Sequence, residues 1–256
     1  EDATWFMRVK KAMAEDRMQA WFQPIIAVSG EEPPISEALV RYLDETGEIV
    51  APEKFLPAAE QFGILHRIDH LVLHRVLELM RENPLINTSV NLSARALTDT
   101  GLPELVKSLM SGNEVSGDRI HFEITETTMI QNIELAKDNI QELQDFGCRF
   151  SLDDFGKGVS SLAYLRDLPV DVIKIDGGFV ENMGRDPVNR SIVRAVNDIA
   201  HEMGKKTVAE YVSSDSILAQ VKEIGIDYVQ GWHLFKAAPL EEFLKIGLEN
   251  VKLPKA

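Results

Sequence analysis

The chain has 256 residues, of which 45% are hydrophobic, enough for one large domain or two small ones. Its 41 acidic against 27 basic side chains leave a formal charge of −14, which argues against nucleic-acid binding through the general surface. The single cysteine, Cys148, excludes an internal disulfide and fits a reducing, cytoplasmic setting; no stretch reaches the ~20 apolar residues of a membrane span, so no membrane contact is expected of this segment.

Residues 4–19 place Trp5, Val9 and Met13 on one side and Lys10, Lys11, Glu15 and Asp16 on the other, the pattern of an amphipathic helix leading into a domain. We take residues 1–19 as a linker helix and 20–256 as the domain proper. The chain begins at Glu1, as expected of the cytoplasmic part of a longer protein, whether soluble or membrane-anchored. Runs at 21–28 and 35–43 read as strands. The connection between them is too short for a parallel crossover, so they pair antiparallel. Helices follow at 52–63 and 68–81, then strands at 88–92, 119–125, 150–154, 172–176, 207–212 and 228–235. Between these lie helices at 103–110, 133–146, 162–168, 186–203 and 214–224, with a last one at 239–248. Eight strands, six in unbroken alternation with helices, point to an α/β fold: a closed (β/α)8 TIM-type barrel. A doubly wound open sheet is the alternative.

The stretch Arg149–Leu162, RFSLDDFGKGVSSL, ends a buried strand in two adjacent carboxylates, Asp153 and Asp154, before a glycine loop. Neighbouring strand residues point to opposite faces unless the backbone turns there. Such a pair either binds divalent cations or merely starts a loop and caps a helix. In a barrel, function sits where the strands end. Polar residues recur there: Asn91, Glu123, Asp153 with Asp154, Lys174 with Asp176, Glu210 and Gln230. Each has a plain structural reading, Lys174 as a snorkelling surface lysine for example. A charge inside an apolar strand is nevertheless costly unless paired or metal-bound. Oxygen donors of this kind suit Mg²⁺, Mn²⁺ or Ca²⁺. His66, His70 and His74 recur four apart on one helix and read as helix-face residues. Two cations over a lysine suit attack on a phosphate ester. One carboxylate-bound cation with a lysine base suits enolisation equally well, so the residues alone leave both open.

Ser36-Glu37-Ala38-Leu39-Val40-Arg41 resembles the signature of the EAL family of cyclic di-GMP phosphodiesterases. The likeness continues through Gln23-Pro24-Ile25, Asn91-Leu92-Ser93, Glu123-Ile124-Thr125-Glu126, Asp153-Asp154-Phe155-Gly156, Lys174-Ile175-Asp176, Ala209-Glu210 and Gln230-Gly231, about residues 18–240. It implies a modified barrel with one antiparallel strand, and Mg²⁺- or Mn²⁺-dependent hydrolysis of cyclic di-GMP to linear pGpG, with Ca²⁺ inhibitory. By position, Glu37, Asn91, Glu123 and Asp153 would hold one metal. Asp153 would bridge to a second, held with Asp154 and Glu210. Lys174, Glu210, Asp154 and Gln230 would be catalytic. Gln23, Leu39, Arg41 and Asp176 would bind substrate, and Glu126 would anchor the glycine loop. A homodimer and an upstream sensory or GGDEF-type domain are expected. The sequence departs from the family pattern in two places. Lys157 and Val159 stand where the loop usually has Thr and Tyr. Ala209-Glu210-Tyr211-Val212-Ser213 has Tyr for the usual Gly and Ser for the usual second Glu. The loss of that carboxylate leaves a cyclic di-GMP receptor as the alternative to an enzyme. Because Glu37 lies early in its strand while the others lie late, the 35–43 strand is expected to run against the rest.

Overall fold

The computed structural model describes residues 2–125, 133–156, 165–166, 168–246 and 253. Eight strands form the closed barrel: β1 (Met18–Ala27), β2 (Ile35–Leu43), β4 (Thr88–Leu92), β5 (Ile120–Thr125), β6 (Arg149–Phe155), β7 (Val172–Ile175), β8 (Lys206–Ala209) and β9 (Tyr228–Val229). Two short strands, β3 (Ile49–Val50) and β10 (Ala238–Pro239), pair with β2 and β1. From β2 to β9 the barrel strands run parallel, and pairing of β1 with both β2 and β9 closes the ring. Both β1 pairings are antiparallel.

The reversed strand is therefore β1, and β2 with Glu37 runs parallel to the others, contrary to the expectation drawn from its early position. The reason is stagger. Glu37 lies opposite Ser89, but Asn91 opposite Glu123 and Thr125 opposite Asp153. The site keeps its level from Asn91 to Glu123 but moves two residues further along the strand from β2 to β4, from β5 to β6 and from β7 to β8, because tilted strands slide past one another. A residue near the start of β2 thus reaches the level of residues near the ends of β5 to β8.

The parallel strands are near-continuous apolar runs, as a sheet buried on both faces requires. Phe122, Ile124, Phe150, Leu152, Ile173 and Ile175 are fully buried. Helices shield the barrel. The longest, Leu65–Glu82, buries Ile68, Val72, Leu73, Val76 and Leu77 on one face, the stripe expected of its 3.6-residue period. The N-terminal helix, Asp2–Ala14, is docked through Val9 and Ala12, and Phe6 stacks on Phe62. Among the described residues no helix is long and apolar enough to cross a membrane. Cys148 is buried and its thiol is pushed up to about 12 by that burial, which suits a structural thiol.

Two strands are shorter than their apolar runs suggest. The 207–212 run stops at Ala209, because Tyr211 adopts a left-handed backbone with φ 52°. The 228–235 run stops at Val229. There Gly231 presses its Cα against Val212, whose carbonyl oxygen a Cβ would meet at 2.3 Å; a side chain at 231 would push the two strand ends apart. Two helices appear where loops were read, Ala94–Leu97 and Gly177–Asn182. The helix expected over 162–168 falls largely outside the described residues.

Candidate functional site

All eight strands of the barrel, or the residue just past their ends, send a polar side chain to one place. Lys174, on β7, is at its centre and only 1% exposed, so it is no snorkelling surface lysine. Its Nζ lies 2.6 Å from Glu123 Oε2, 3.1 Å from Glu210 Oε1, 3.2 Å from Glu37 Oε2 and 3.3 Å from Asp153 Oδ1. Four carboxylates thus share one ammonium. Amides and a hydroxyl complete the arrangement. Asn91 Nδ2 donates to Glu37 Oε1 at 3.0 Å, and Gln230 Nε2 donates to Glu37 Oε2 at 2.7 Å and to Gln23 Oε1 at 3.3 Å. Gln23 in turn donates to the Phe235 carbonyl. Ser89 Oγ donates to Glu123 Oε1 at 2.5 Å. Ser89 was missed in the sequence; its signal was its position two residues before Asn91, on the same inward face of β4.

The two aspartates of β6 do not simply alternate. The register of β6 against β7 shifts between Leu152 and Phe155, and Asp154 takes a left-handed φ of 57°. This is the backbone turn that keeps both carboxylates near the mouth, and the negative charge of Asp154 contributes to raising the pKa of Asp153. A left-handed conformation at a residue with a Cβ costs on the order of 1–3 kcal/mol and persists only where the surroundings enforce it.

The electrostatics follow from burial. Desolvation, then the neighbouring Glu37, push Glu123 up to about 8. Burial likewise raises Asp153, and raises Glu210 well above the usual carboxylate range. Glu37 goes the other way. Burial opposes its charge, but Lys174 and the hydrogen bonds from Gln230 and Asn91 outweigh it. Burial disfavours the Lys174 ammonium too, yet Asp153, Glu123, Glu210 and Glu37 together hold it charged, well above the ordinary lysine value. One ammonium does not neutralise four carboxylates. The raised values of Glu123 and Glu210 mean that protons make up the difference in this buried cluster, a place that a hard divalent cation would take from them. Among the described residues no three His, Cys, Asp or Glu side chains stand ready around one cation position; Lys174 stands at the point where these carboxylates meet.

The remaining sequence candidates lie at the edge of this cluster or beyond it. Leu39 and Arg41 continue the face of β2 that carries Glu37, and the Arg41 guanidinium lies 5.6 Å from the centroid of the Trp21 ring. Asp176 is buried and its Oδ1 caps the helix Gly177–Asn182 by accepting from Gly178 N at 3.0 Å, the plain capping role. Ser213 is exposed. Glu126, Lys157 and Val159 lie outside the described residues. The three helix histidines are placed as read. His74 is exposed beside Glu78, and the His66 and His70 rings meet edge to face at 6.2 Å.

Below the cluster a cavity of about 390 Å³ opens at the opposite, N-terminal end of the strands. Glu123 and Lys174 reach its inner end, while His121, Arg149, Asp171, Lys205 and Lys206 line it further out.

Fold and centre together define an α/β barrel protein whose polar machinery is built from the carboxyl ends of parallel strands and the reversed β1. The chain belongs to the EAL domain family, whose pattern it matches over residues 7–237. It is 34% identical over 244 residues to the cyclic di-GMP phosphodiesterase PdeB of Shewanella oneidensis, covering 93% of this chain and 28% of that protein. It is 32% identical over 241 residues to the cyclic di-GMP phosphodiesterase PdeF of Escherichia coli K12, covering 93% of this chain and 32% of that one. The chain thus spans about a third or less of these relatives' length. Among solved structures it resembles the PaMucR phosphodiesterase in complex with c-di-GMP, with a TM-score of 0.87, 28% identity, 94% of this chain and 100% of that one covered. It also resembles the FimX EAL domain of Pseudomonas aeruginosa bound to c-di-GMP, with a TM-score of 0.85, 28% identity, and 91% and 96% covered.

Proposed function

We propose that this domain is a phosphodiesterase that hydrolyses cyclic di-GMP to linear pGpG with Mg²⁺ or Mn²⁺. The observation that carries this reading is the single ammonium of Lys174 set among Glu37, Glu123, Asp153 and Glu210, in a chain whose family relatives are named for this activity. Glu37, Asn91, Glu123 and Asp153 would hold one cation, and Asp153, Asp154 and Glu210 a second. Cations held there would supply a lowered pKa for a bound water and stabilisation of the charge that develops on the phosphate oxygens. The protein's own groups do the rest. Ser89 fixes one oxygen of Glu123, and Gln230 and Asn91 fix Glu37, so the donor set is oriented before ligand arrives. The Lys174 ammonium, held at the centre of the cluster, would donate to the attacking water or to a phosphate oxygen. The water oxygen would join phosphorus as one P–O ester bond breaks, and the proton the water loses would end on the leaving oxygen. Gln23, Leu39, Arg41 and Asp176 are the candidates for holding the nucleotide, and Glu126 for anchoring the loop after Asp154. Ca²⁺, larger and less demanding in geometry, supports binding but not cleavage.

The domain acts in the cytoplasm as a homodimer, within a longer protein whose other part is sensory or of the GGDEF type, and its N-terminal helix is the link to that part. Incubation with cyclic di-GMP and Mg²⁺ or Mn²⁺, with chromatographic detection of pGpG, tests the activity. Sedimentation at rising concentration tests the dimer. Ser213, exposed and uncharged where the family pattern has a carboxylate, favours the second reading, a cyclic di-GMP receptor. Binding in Ca²⁺ with no pGpG under any metal would establish that reading instead.

A further inference from the structure

We infer that Tyr211 is a substrate-binding residue, an aromatic wall against which a guanine base of the ligand stacks. The inference rests on the reading of the mouth as a cyclic di-GMP site. Tyr211 directly follows Glu210, whose Oε1 lies 3.1 Å from Lys174 Nζ. In an extended strand the next side chain would point to the opposite face, into the helical layer. Instead the backbone turns left-handed at φ 52° and lays the side chain across Gly177, where a Cβ would meet Tyr211 Cδ2 at 2.1 Å. Gly177 follows Asp176 at the end of β7, so the tyrosine spans two neighbouring strand ends at the rim of the mouth. It packs on this bare glycine and is still 66% exposed.

Packing on Gly177 leaves most of the side chain open at the mouth. A backbone conformation that disfavours any residue with a Cβ is used to display a large ring rather than to bury it, and a bulkier residue at 177 would abolish it. Strain of this kind, held at the edge of a polar centre, is the mark of a group positioned for a ligand. An exposed aromatic face beside phosphate-directed machinery suits the flat face of a purine.

Affinity for cyclic di-GMP in Ca²⁺, steady-state kinetics in Mn²⁺ and thermal midpoints, measured for wild type, Tyr211→Phe, Tyr211→Asn and Tyr211→Gly, test the inference. Tyr211→Phe should keep the affinity. Tyr211→Gly and Tyr211→Asn, both at ease in the left-handed region, should bind roughly ten-fold more weakly, as loss of one stacked base predicts. Their KM should rise in step with little change in kcat, and their thermal midpoints should not fall. A structural tyrosine would give the opposite, a lower midpoint at unchanged affinity, and that result overturns the inference alone. If the wild type itself binds no cyclic di-GMP, the reading of the site fails and the inference fails with it.

Discussion

The two ends of the barrel handle charge in opposite ways. At the N-terminal end nearly every ion has a partner of its own. Asp227 takes Lys206 at 2.8 Å and His201 at 2.8 Å and accepts from Thr207 N. Lys205 donates to the Leu168 and Val170 carbonyls, and Asp171 accepts from Phe150 N and Gln144. At the C-terminal mouth four buried carboxylates are left to one lysine. Buried polar groups kept for stability are satisfied individually. A set left collectively short of positive charge is poised to receive cations. The contrast separates an end built to last from an end built to bind.

The sharpest way to break the contrast is Lys174→Met. Removing one member of a buried ionic network costs roughly 3–5 kcal/mol, so a large fall in unfolding free energy is expected in metal-free buffer, with Mn²⁺ restoring most of it. A loss under about 1 kcal/mol would mean the carboxylates do not depend on the ammonium. Next comes Glu123→Gln, which keeps the shape and the Ser89 partner while removing a charge. Cleavage should fall by about 10²–10³-fold, the scale for losing one electrostatic group at a reacting centre, with a normal melting curve; comparable turnover would remove Glu123 from the ligand set.

The N-terminal end makes its own test through pH. Burial and, after it, Arg149 push His121 down to about 4, below its unfolded value of about 6.5. As pH falls, the unfolded chain takes up the proton first. The stability due to neutral His121 is therefore complete above about pH 6.5 and lost progressively towards pH 4, reaching about 2 kcal/mol at pH 5. Glu123, raised to about 8, gains stability over the same range, so the His121 contribution is read as the gap in unfolding free energy between wild type and His121→Gln, which urea curves should show narrowing by about 2 kcal/mol from pH 7 to pH 5; an unchanged gap would refute it. The smallest effect is expected from Ser213→Glu, which returns a carboxylate to the mouth. A several-fold rise in turnover, or a lower Mn²⁺ requirement, would place residue 213 in the working site; no change in either would place it outside.

Much of this was legible in the sequence because the strands are apolar runs and the exceptions stand out. Glu123 inside IHFEIT and Lys174 inside VIKI cannot be ordinary surface charges once their neighbours are buried. The partnership of Glu37 with residues from β5 to β8 was not legible in its depth, because stagger is a property of the closed barrel and leaves no mark on a single strand. The same cause reversed the expected strand: position along β2 was read without the tilt. Ser89 was hidden because a serine in a strand carries no cost that demands explanation. The early end of β8 was hidden because a left-handed turn at Tyr211 leaves no mark in an apolar run, and that of β9 because it depends on Gly231 meeting Val212 from another part of the chain.

The antiparallel first strand has a consequence for how the ring opens. Trp21 and Phe22 pair with Pro239 and Ala238, and Ile26 and Ala27 with Val229 and Tyr228. The chain's opening strand is thus the clasp for its last two. It holds them by four residue pairs, while its other edge is zipped to β2 from Met18 to Ile25. The hairpin of β1 and β2 is local and can form without the remaining strands; the seam with β9 and β10 waits for the whole chain. Gln23 lies in β1 between those two short seams, and its partner Gln230 lies just past β9. Parting the clasp would separate the two glutamines, and with them the amide that holds Glu37, along a seam of two residue pairs, as thin as the one that joins β9 to β8.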